Sequence, residues 1–243
     1  MIALIDIGNT TIGFALKNKN IELLKVVDTK DLKNHKNIDE VIKGVYQNVD
    51  ACVISSVVPS LNDLFKAYFI KEFRIEPLFI SVELNHKYQI GLDNPHELGA
   101  DLLSVIFGSS LYFKESIIVD LGTASKFLAV KGDAFIGGAI APGFEGSFNS
   151  LFSNAELLNE FKLKDTFHAL GHNTNDCIAS GVILGHTSCV DGMIQRIKEE
   201  TNIQNVILTG GCSKYIIDHL KSEYLYVPNL IFEGMLLIYE TRR

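Results

Sequence analysis

The sequence has no run of basic residues, no apolar stretch long enough to cross a membrane and no closely paired cysteines. A net charge of -7 argues against a nucleic-acid partner, because such a surface needs clustered Lys and Arg. The longest apolar stretch, LLSVIFGSSLYF at 102–113, is well short of the about 20 residues that a spanning helix needs. The sequence therefore predicts a protein that binds neither nucleic acid nor membrane.

The four cysteines show no C-x-x-C spacing, and no histidines accompany them at the spacing of a zinc site. We expect buried free thiols in a reducing compartment. Asp6 stands where a signal peptide would have its apolar core, which also predicts a cytoplasmic protein. Apolar residues are abundant at 47%, enough for the core of one large domain or two modest ones.

Two segments of the chain share one plan. Residues 3–26 read ALIDIGNTTIGFALKNKNIELLKV, and residues 117–140 read IIVDLGTASKFLAVKGDAFIGGAI. Each has an apolar strand, an Asp-x-Gly turn that contains Thr, a second strand, a polar hairpin turn and a third strand. One Asp-x-Gly is a weak signal, since turns use Asp and Gly for their own reasons. Two of them, nearly half the chain apart, indicate a duplication.

The remainder of each half alternates strands and helices, which is typical of an α/β protein. We predict two similar lobes, 1–114 and 115–243, with the two Asp-x-Gly turns facing a shared cleft. The further predicted elements are a strand at 51–58, a helix at 61–73 capped by Ser60, a helix at 176–200, a strand at 205–209, and helices at 212–221 and 229–240.

The two turns have the chemistry of a phosphate site. A glycine turn after a strand leaves backbone N–H groups free to point at an anion, and Asn9, Thr10 and Thr123 add side-chain donors. The carboxylates of Asp6 and Asp120 would repel phosphate unless each had a cation as partner. Two such loops suit phosphoryl transfer, where catalysis is mostly positioning and charge neutralisation. The alternative is that both aspartates only cap their turns, which would leave the duplication unexplained.

A third glycine turn follows the strand at 205–209. The pair Gly210 and Gly211 could let a flat nucleotide base lie against bare backbone. The same pair could equally be a tight connection from a strand to a helix, and the residues alone do not decide between the two.

Six motifs, in order along nearly the whole chain, resemble those of type III pantothenate kinases. They are DIGNT at 6–10, ISSVVPSL at 54–61, NPHELGAD at 94–101, DLGTA at 120–124, GGAIAPG at 137–143 and TGG at 209–211. The resemblance implies an actin-like ATPase fold with two ribonuclease-H-like lobes, each a mixed sheet with flanking helices. It also implies transfer of phosphate from ATP to the 4′-hydroxyl of pantothenate, the first step of coenzyme A biosynthesis, by a homodimer.

The same resemblance implies roles for particular residues. The first turn would hold phosphates and Mg²⁺, with Asp6 as the magnesium ligand, and the second turn would hold phosphates beside a K⁺ or NH₄⁺ ion at Asp120. Asp101 would be the general base, and Thr174 would reach the pantothenate pocket of the partner subunit. The ATP residues would be Asp6, Gly8, Asn9, Thr10, Gly122, Thr123, Ala124, Gly210 and Gly211; the substrate residues would be Gly99, Ala100 and Thr174.

Asp101 also has a simpler explanation. It begins the apolar run ADLLSVIFG, so it is predicted in a first helical turn, where the helix dipole favours an acid by about 0.3–1 kcal/mol. That explanation does not account for the preceding NPHELGA. A general base needs hydrogen-bond reach and a suitable pKa, and with the resemblance we favour catalysis.

The chain departs from the family at the acceptor and cation sites. The family's Gly-x-Asp-Arg has Leu102 in place of its arginine, Lys126 and Leu128 replace a small polar residue and an Asp, and Leu92 replaces a tyrosine. Lys126 could supply the missing positive charge for a substrate carboxylate or stand in for K⁺, unless it is a solvated strand lysine; His168 and His172 are further candidates for the carboxylate.

Two alternatives to pantothenate kinase activity follow from these departures. One is a nucleotide-binding homologue with another small acceptor or a regulatory role. The other is a sugar or acetate kinase, which would not need ISSVVP or GGAIAPG at these positions. The three aspartates favour an enzyme, because a protein that only binds nucleotide has no need of a base.

Overall fold

The computed structural model describes residues 1–35, 38–152, 166 and 168–242. The strands are β1 Ile2–Ile7, β2 Thr11–Lys17, β3 Ile21–Asp28, β4 Ala51–Ser56, β5 Leu78–Phe79, β6 Gln89–Ile90, β7 Glu115–Leu121, β8 Ala124–Lys131, β9 Ala134–Pro142, β10 Val206–Thr209 and β11 Leu225–Tyr226. The helices are α1 Thr29–His35, α2 Ile38–Ile42, α3 Pro59–Phe73, α4 Ala100–Ser109, α5 Phe144–Phe152, α6 Thr174–Thr201 and α7 Leu230–Thr241.

The chain forms two compact units. The first comprises Met1–Lys114, Asp133–Phe135 and Asn229–Arg243, and the second comprises Glu115–Gly132 and Ile136–Pro228. A division at residue 114 would keep α7 with the C-terminal half, whereas its contacts group it with the first unit. The duplication of one lobe, as 1–114 and 115–243, stays a prediction.

The sheet of the first unit has the strand order β3-β2-β1-β4-β5. β1, β2 and β3 form antiparallel hairpins, and β4 is parallel to β1 with Ile7 opposite Ser56. β1 is apolar except for Asp6, and β4 begins with four apolar residues, as suits central strands of a sheet. Phe14 of β2 is fully buried in one core with Phe65 and Phe69 of α3. Tyr46 closes this core, since its hydroxyl donates to the carbonyl oxygens of neighbouring strands at 3.1 Å.

The second unit repeats this topology. β9, β8 and β7 are sequential neighbours, and β10 and then β11 add in parallel beside β7, in the order β11-β10-β7-β8-β9. This repetition confirms the predicted fold class, α/β with two mixed sheets and flanking helices. The short strand β6 pairs with Ala134 and Phe135, the two β9 residues that group with the first unit.

Helix α6 is the only helix in the described part of the chain whose length and composition would suit a membrane span. Its residues Val182, Ile183, Val190 and Ile194 are buried in the core of the second unit. The core helix of a soluble protein passes the same test of length and composition, so this helix is weak evidence for a membrane.

Three expectations about local structure are wrong. Helix α3 begins at Pro59 with Val58 as its N-cap, because Pro suits the first helical position, so Ser60 lies inside the helix. Residues 212–221 form two 3₁₀ turns, Ser213–Tyr215 and Ile217–His219, in place of one helix. All four cysteines are free, but only Cys52 and Cys212 are buried, while the other two lie on exposed positions of α6.

Candidate functional site

The first Asp-x-Gly turn joins β1 to β2. The Gly8 N–H donates to the Thr11 carbonyl oxygen at 2.9 Å, and Asn9 and Thr10 at its tip are exposed. A Cβ on Gly8 would lie 3.0 Å from that same oxygen, so the tight turn needs glycine. Asp6 is half-buried two residues before the turn, on β1.

Thr29, a residue that the sequence reasoning missed, holds this turn. Its hydroxyl donates to the Gly8 carbonyl oxygen at 2.7 Å, and its N–H donates to the Thr10 carbonyl oxygen at 2.8 Å. The side chain is fully buried, which makes both hydrogen bonds costly to lose. In the sequence Thr29 is only a polar residue that begins a helix, so no local signal distinguished it.

Asp101 lies in the first turn of α4, as predicted. Its Oδ1 accepts a hydrogen bond from the Leu102 N–H at 2.8 Å, and a Cβ on Gly99 would lie 2.6 Å from the same oxygen. That Cβ would also lie 3.6 Å from Val57, whose N–H donates to the Ile7 carbonyl oxygen at 3.0 Å. The carboxylate of Asp101 therefore lies against Gly99, in the segment that leads into α4.

The ISSVVP motif forms the connection from β4 to α3 beside this turn. The Ser56 hydroxyl donates to Asn62 Oδ1 at 2.7 Å and accepts from the Val58 N–H at 3.2 Å. This network orders the connection that contains Val57.

The second Asp-x-Gly turn joins β7 to β8 in the second unit. The Gly122 N–H donates to the Ala124 carbonyl oxygen at 3.1 Å. Three residues, 122–124, separate the paired residues Leu121 and Ser125, whereas four, 8–11, separate the corresponding pair in the first unit. The two turns are thus equivalent in topology, and the second is one residue shorter.

Two glycine-containing motifs, GGAIAPG and TGG, pack against the backbone of this second turn. A Cβ on Gly143, at the end of GGAIAPG, would lie 2.2 Å from the Thr123 carbonyl oxygen. Gly210 has a φ of 94°, and its Cβ would lie 2.4 Å from the Leu121 carbonyl oxygen. Both positions therefore need glycine for close approach of the backbone, and the structure brings GGAIAPG, TGG and DLGTA together.

Asp120 forms an ion pair with Lys126. The two residues are directly opposite each other across β7 and β8, and the Lys126 Nζ lies 3.0 Å from Asp120 Oδ2. The side chain of Lys126 is only 19% exposed, and that of Asp120 only 14%. Lys126 is thus a half-buried, paired residue, which contradicts the solvated alternative.

Two further titratable groups lie close to the second turn. His186 Nε2 is 3.1 Å from the Ser125 hydroxyl, and the edge of its ring meets Phe144 at 5.7 Å between centroids. Burial lowers the pKa of His186. Burial, assisted by Glu145, raises the pKa of the Cys212 thiol to about 11, so this thiol stays protonated at neutral pH.

Three more residues that the sequence singled out, Thr174, His168 and His172, lie at exposed positions. Thr174 is the exposed first residue of α6, and Asn173 caps that helix by accepting from the Asp176 N–H at 3.0 Å. His168 and His172 are exposed. Among the described residues, no three His, Cys, Asp or Glu side chains cluster as a metal site.

Comparison with known proteins identifies the family. A family model described as type III pantothenate kinase matches residues 2–196. The chain is 35% identical to the type III pantothenate kinase of Acholeplasma laidlawii, over 99% of this chain and 98% of that one. It is 36% identical to that of Persephonella marina, over 98% of both chains.

Solved structures support the fold alone. A protein of Campylobacter jejuni described as a conserved Baf family transcriptional activator aligns with a TM-score of 0.59 at 18% identity, over 98% of this chain and 97% of that one. The ethanolamine utilization protein EutJ of Carboxydothermus hydrogenoformans aligns with a TM-score of 0.50 at 12% identity, over 97% and 89%. With a matching family model, two full-length relatives above 30% identity and the predicted motifs in place, the chain belongs to the type III pantothenate kinase family.

Proposed function

We propose that this protein transfers phosphate from ATP to the 4′-hydroxyl of pantothenate, the first step of coenzyme A biosynthesis. Family membership over the whole chain supports this activity. The structural observation that carries it is the repetition of the Asp-x-Gly turn at the same place in both sheets, with Asp101 in the first turn of α4 in the unit that contains the first of them. Phosphate-binding turns and a carboxylate base are what phosphoryl transfer to a hydroxyl requires.

The two turns bind the phosphates of ATP. In the first unit Gly8, Asn9 and Thr10 offer N–H and side-chain donors, and Asp6 would hold Mg²⁺. A single carboxylate would fit this ion, because Mg²⁺ is usually bound by one or two carboxylates together with substrate phosphates. In the second unit Gly122, Thr123 and Ala124 bind the phosphates, and the nucleotide base of ATP lies against the Gly210–Gly211 turn.

Asp101 acts as the general base. Its carboxylate accepts the proton of the 4′-hydroxyl as that oxygen attacks the terminal phosphorus of ATP, and ADP leaves. The hydrogen bond from the Leu102 N–H to Oδ1 orients the carboxylate. Bound Mg²⁺ would neutralise charge on the phosphates during this step.

The acceptor site is completed in a homodimer in the cytoplasm. Gly99 and Ala100 line the pantothenate pocket, and Thr174 reaches it from the partner subunit. Its exposed position at the start of a long helix is compatible with a contact to a second chain. The monovalent cation, K⁺ or NH₄⁺, was predicted at Asp120, the carboxylate that pairs with Lys126.

A direct assay of ADP with and without pantothenate tests this function. We expect pantothenate-dependent ADP, and we expect Asp101→Asn to lower kcat by about 10²–10⁴-fold, the usual contribution of a general base. The variant should keep the rise in melting temperature that ATP causes, because the phosphate turns are intact. Asp63→Asn, at an exposed position of α3, is the matched control and should leave kcat unchanged.

ATP-induced stabilisation without any pantothenate-dependent ADP would overturn the activity. That result would favour the alternative of a nucleotide-binding homologue with another acceptor or a regulatory role. Full activity of Asp101→Asn would remove the assignment of the base and leave the rest of the function in place.

A further inference from the structure

The side chain of Lys126, on β8, places a positive charge beside the second phosphate turn. The Lys126 ammonium lies 3.0 Å from an oxygen of Asp120, immediately before the turn formed by Gly122 and Thr123. An ammonium group is a compact single positive charge, like the monovalent cation expected at this carboxylate. Because both side chains are mostly buried, the pair is less screened than one on the surface.

The first unit provides an internal comparison. Asp6 and Asp120 occupy equivalent places in their hairpins, but the residue opposite Asp6 is Gly13, which has no side chain. The residue opposite Asp120 is Lys126. Of the two phosphate turns, only the second therefore has a cationic side chain in this cross-strand position.

The other neighbours of Asp120 do not make a better site for a free ion. Leu128, the next β8 residue on the same face as Lys126, is 1% exposed and offers no oxygen ligand. Thr209, opposite Asp120 on β10, contributes one hydroxyl. The Lys126 ammonium already lies 3.0 Å from Asp120 Oδ2, so a K⁺ ion bound to this oxygen would meet a second positive charge at contact distance.

We propose that Lys126 replaces the monovalent cation at the second phosphate turn, so that this enzyme turns over ATP without K⁺ or NH₄⁺. The ammonium offsets the charge of Asp120 and lets a phosphate approach the Gly122–Thr123 N–H groups. Lys126 is a positioning residue, and its charge is already engaged by Asp120, which disfavours a role as the partner of the pantothenate carboxylate. The inference rests on the proposed binding of ATP phosphates at this turn.

The test compares salts and variants. ADP is measured directly by chromatography, since coupling enzymes can have cation requirements of their own, in KCl and in tetramethylammonium chloride at equal ionic strength. The variants are Lys126→Thr, which opens space for an ion, and Lys126→Met, which fills the space without charge. Lys131→Thr, at an exposed position of the same strand, is the matched control.

We expect wild-type kcat/KM for ATP to agree within about twofold in the two salts. Lys126→Thr should fall about tenfold or more in tetramethylammonium and recover in K⁺ or NH₄⁺, whereas Lys126→Met should fall in every salt. With ATP bound, K⁺ should raise the melting temperature of Lys126→Thr and leave that of the wild type unchanged. Lys131→Thr should behave as the wild type.

Each of four results would overturn the inference. They are a wild type that needs K⁺, a Lys126→Thr variant that stays active in tetramethylammonium, one that K⁺ does not restore, and one in which only the pantothenate KM rises. If Lys126→Thr does not fold, the wild-type salt comparison and Lys126→Met still decide. A wild type that makes no ADP in either salt would refute the proposed activity instead, and the melting temperatures would then decide about Lys126.

Discussion

At the scale of single residues, glycines place the chemically active groups. Gly99 and Gly143 have ordinary backbone angles, and what requires glycine there is the atom that a Cβ would meet. At Gly99 that atom is the Asp101 carboxylate oxygen at 2.6 Å, and at Gly143 it is the Thr123 carbonyl oxygen at 2.2 Å. The first is the end of a side chain that can move, and the second is backbone that cannot move without distorting the turn.

Gly99→Ala should lower kcat with little loss of stability. The added methyl group would displace the Asp101 carboxylate by rotation of its side chain, and a misplacement of about 1 Å can cost about 10²-fold in rate. Steady-state kinetics and a thermal melt of the variant measure both quantities. The double variant Gly99→Ala/Asp101→Asn should be no slower than Asp101→Asn, because the effect acts through that carboxylate. An additive loss would show that Gly99 acts by another route.

At the scale of elements, the crossing of α4 and α7 fixes the helix that carries Asp101. A Cβ on Gly234 would lie 1.7 Å from the Ser104 carbonyl oxygen, and one on Gly108 would lie 2.5 Å from the Leu230 carbonyl oxygen. The two helices pack backbone to backbone at these glycines. Tyr112, just beyond α4, adds a hydrogen bond to Glu233 at 2.7 Å, and burial together with this carboxylate raises the pKa of Tyr112 to about 12.

Gly234→Ala should destabilise the protein by about 1–3 kcal/mol or more, the cost of overpacking, because neither backbone can yield without moving a helix. Urea unfolding measures this free energy. The matched control is Gly192→Ala in α6, where a Cβ meets nothing within 4 Å. Alanine there should stabilise by about 0.5–1 kcal/mol through its higher helix propensity. Equal effects of the two substitutions would contradict the close crossing.

At the scale of the whole molecule, His186 makes stability depend on pH. Burial lowers its pKa below the ordinary value of 6.5, whereas the unfolded chain restores that value. Between the two values the unfolded state binds more protons, so the free energy of unfolding falls as the pH drops through this range. The stability that neutral His186 provides is present above about pH 6.5 and is lost as the pH falls towards its folded pKa.

His186→Gln should therefore lose less stability than the wild type between about pH 7.5 and about pH 5.5. The slope of the unfolding free energy with pH is the quantity to compare, since the substitution also changes the contact with Ser125. His172→Gln, at an exposed position, is the control and should keep the wild-type slope. If the unfolding free energy of His186→Gln still falls steeply with decreasing pH, other titratable groups cause the pH dependence.

The hairpins, their Asp-x-Gly turns and the α/β class could all be predicted from the sequence. They depend on local patterns, such as the short apolar run IALIDI and the glycines after the strands. Other features could not be predicted. Thr29 looks like any helix-starting polar residue, and the 12 residues of α7 give no sign of which unit this helix will join.

What the sequence by itself determined is the pair of Asp-x-Gly turns and the family motifs, because a turn is made by neighbours in the chain. The tertiary structure alone decided which groups meet across strands and helices. Asp120 and Lys126 pair because β7 and β8 align in one register, and α4 meets α7 closely because Gly108 and Gly234 have no side chains at the crossing. A one-residue shift of register would send Lys126 to the other face of the sheet, and this long-range choice is set by packing of the whole unit.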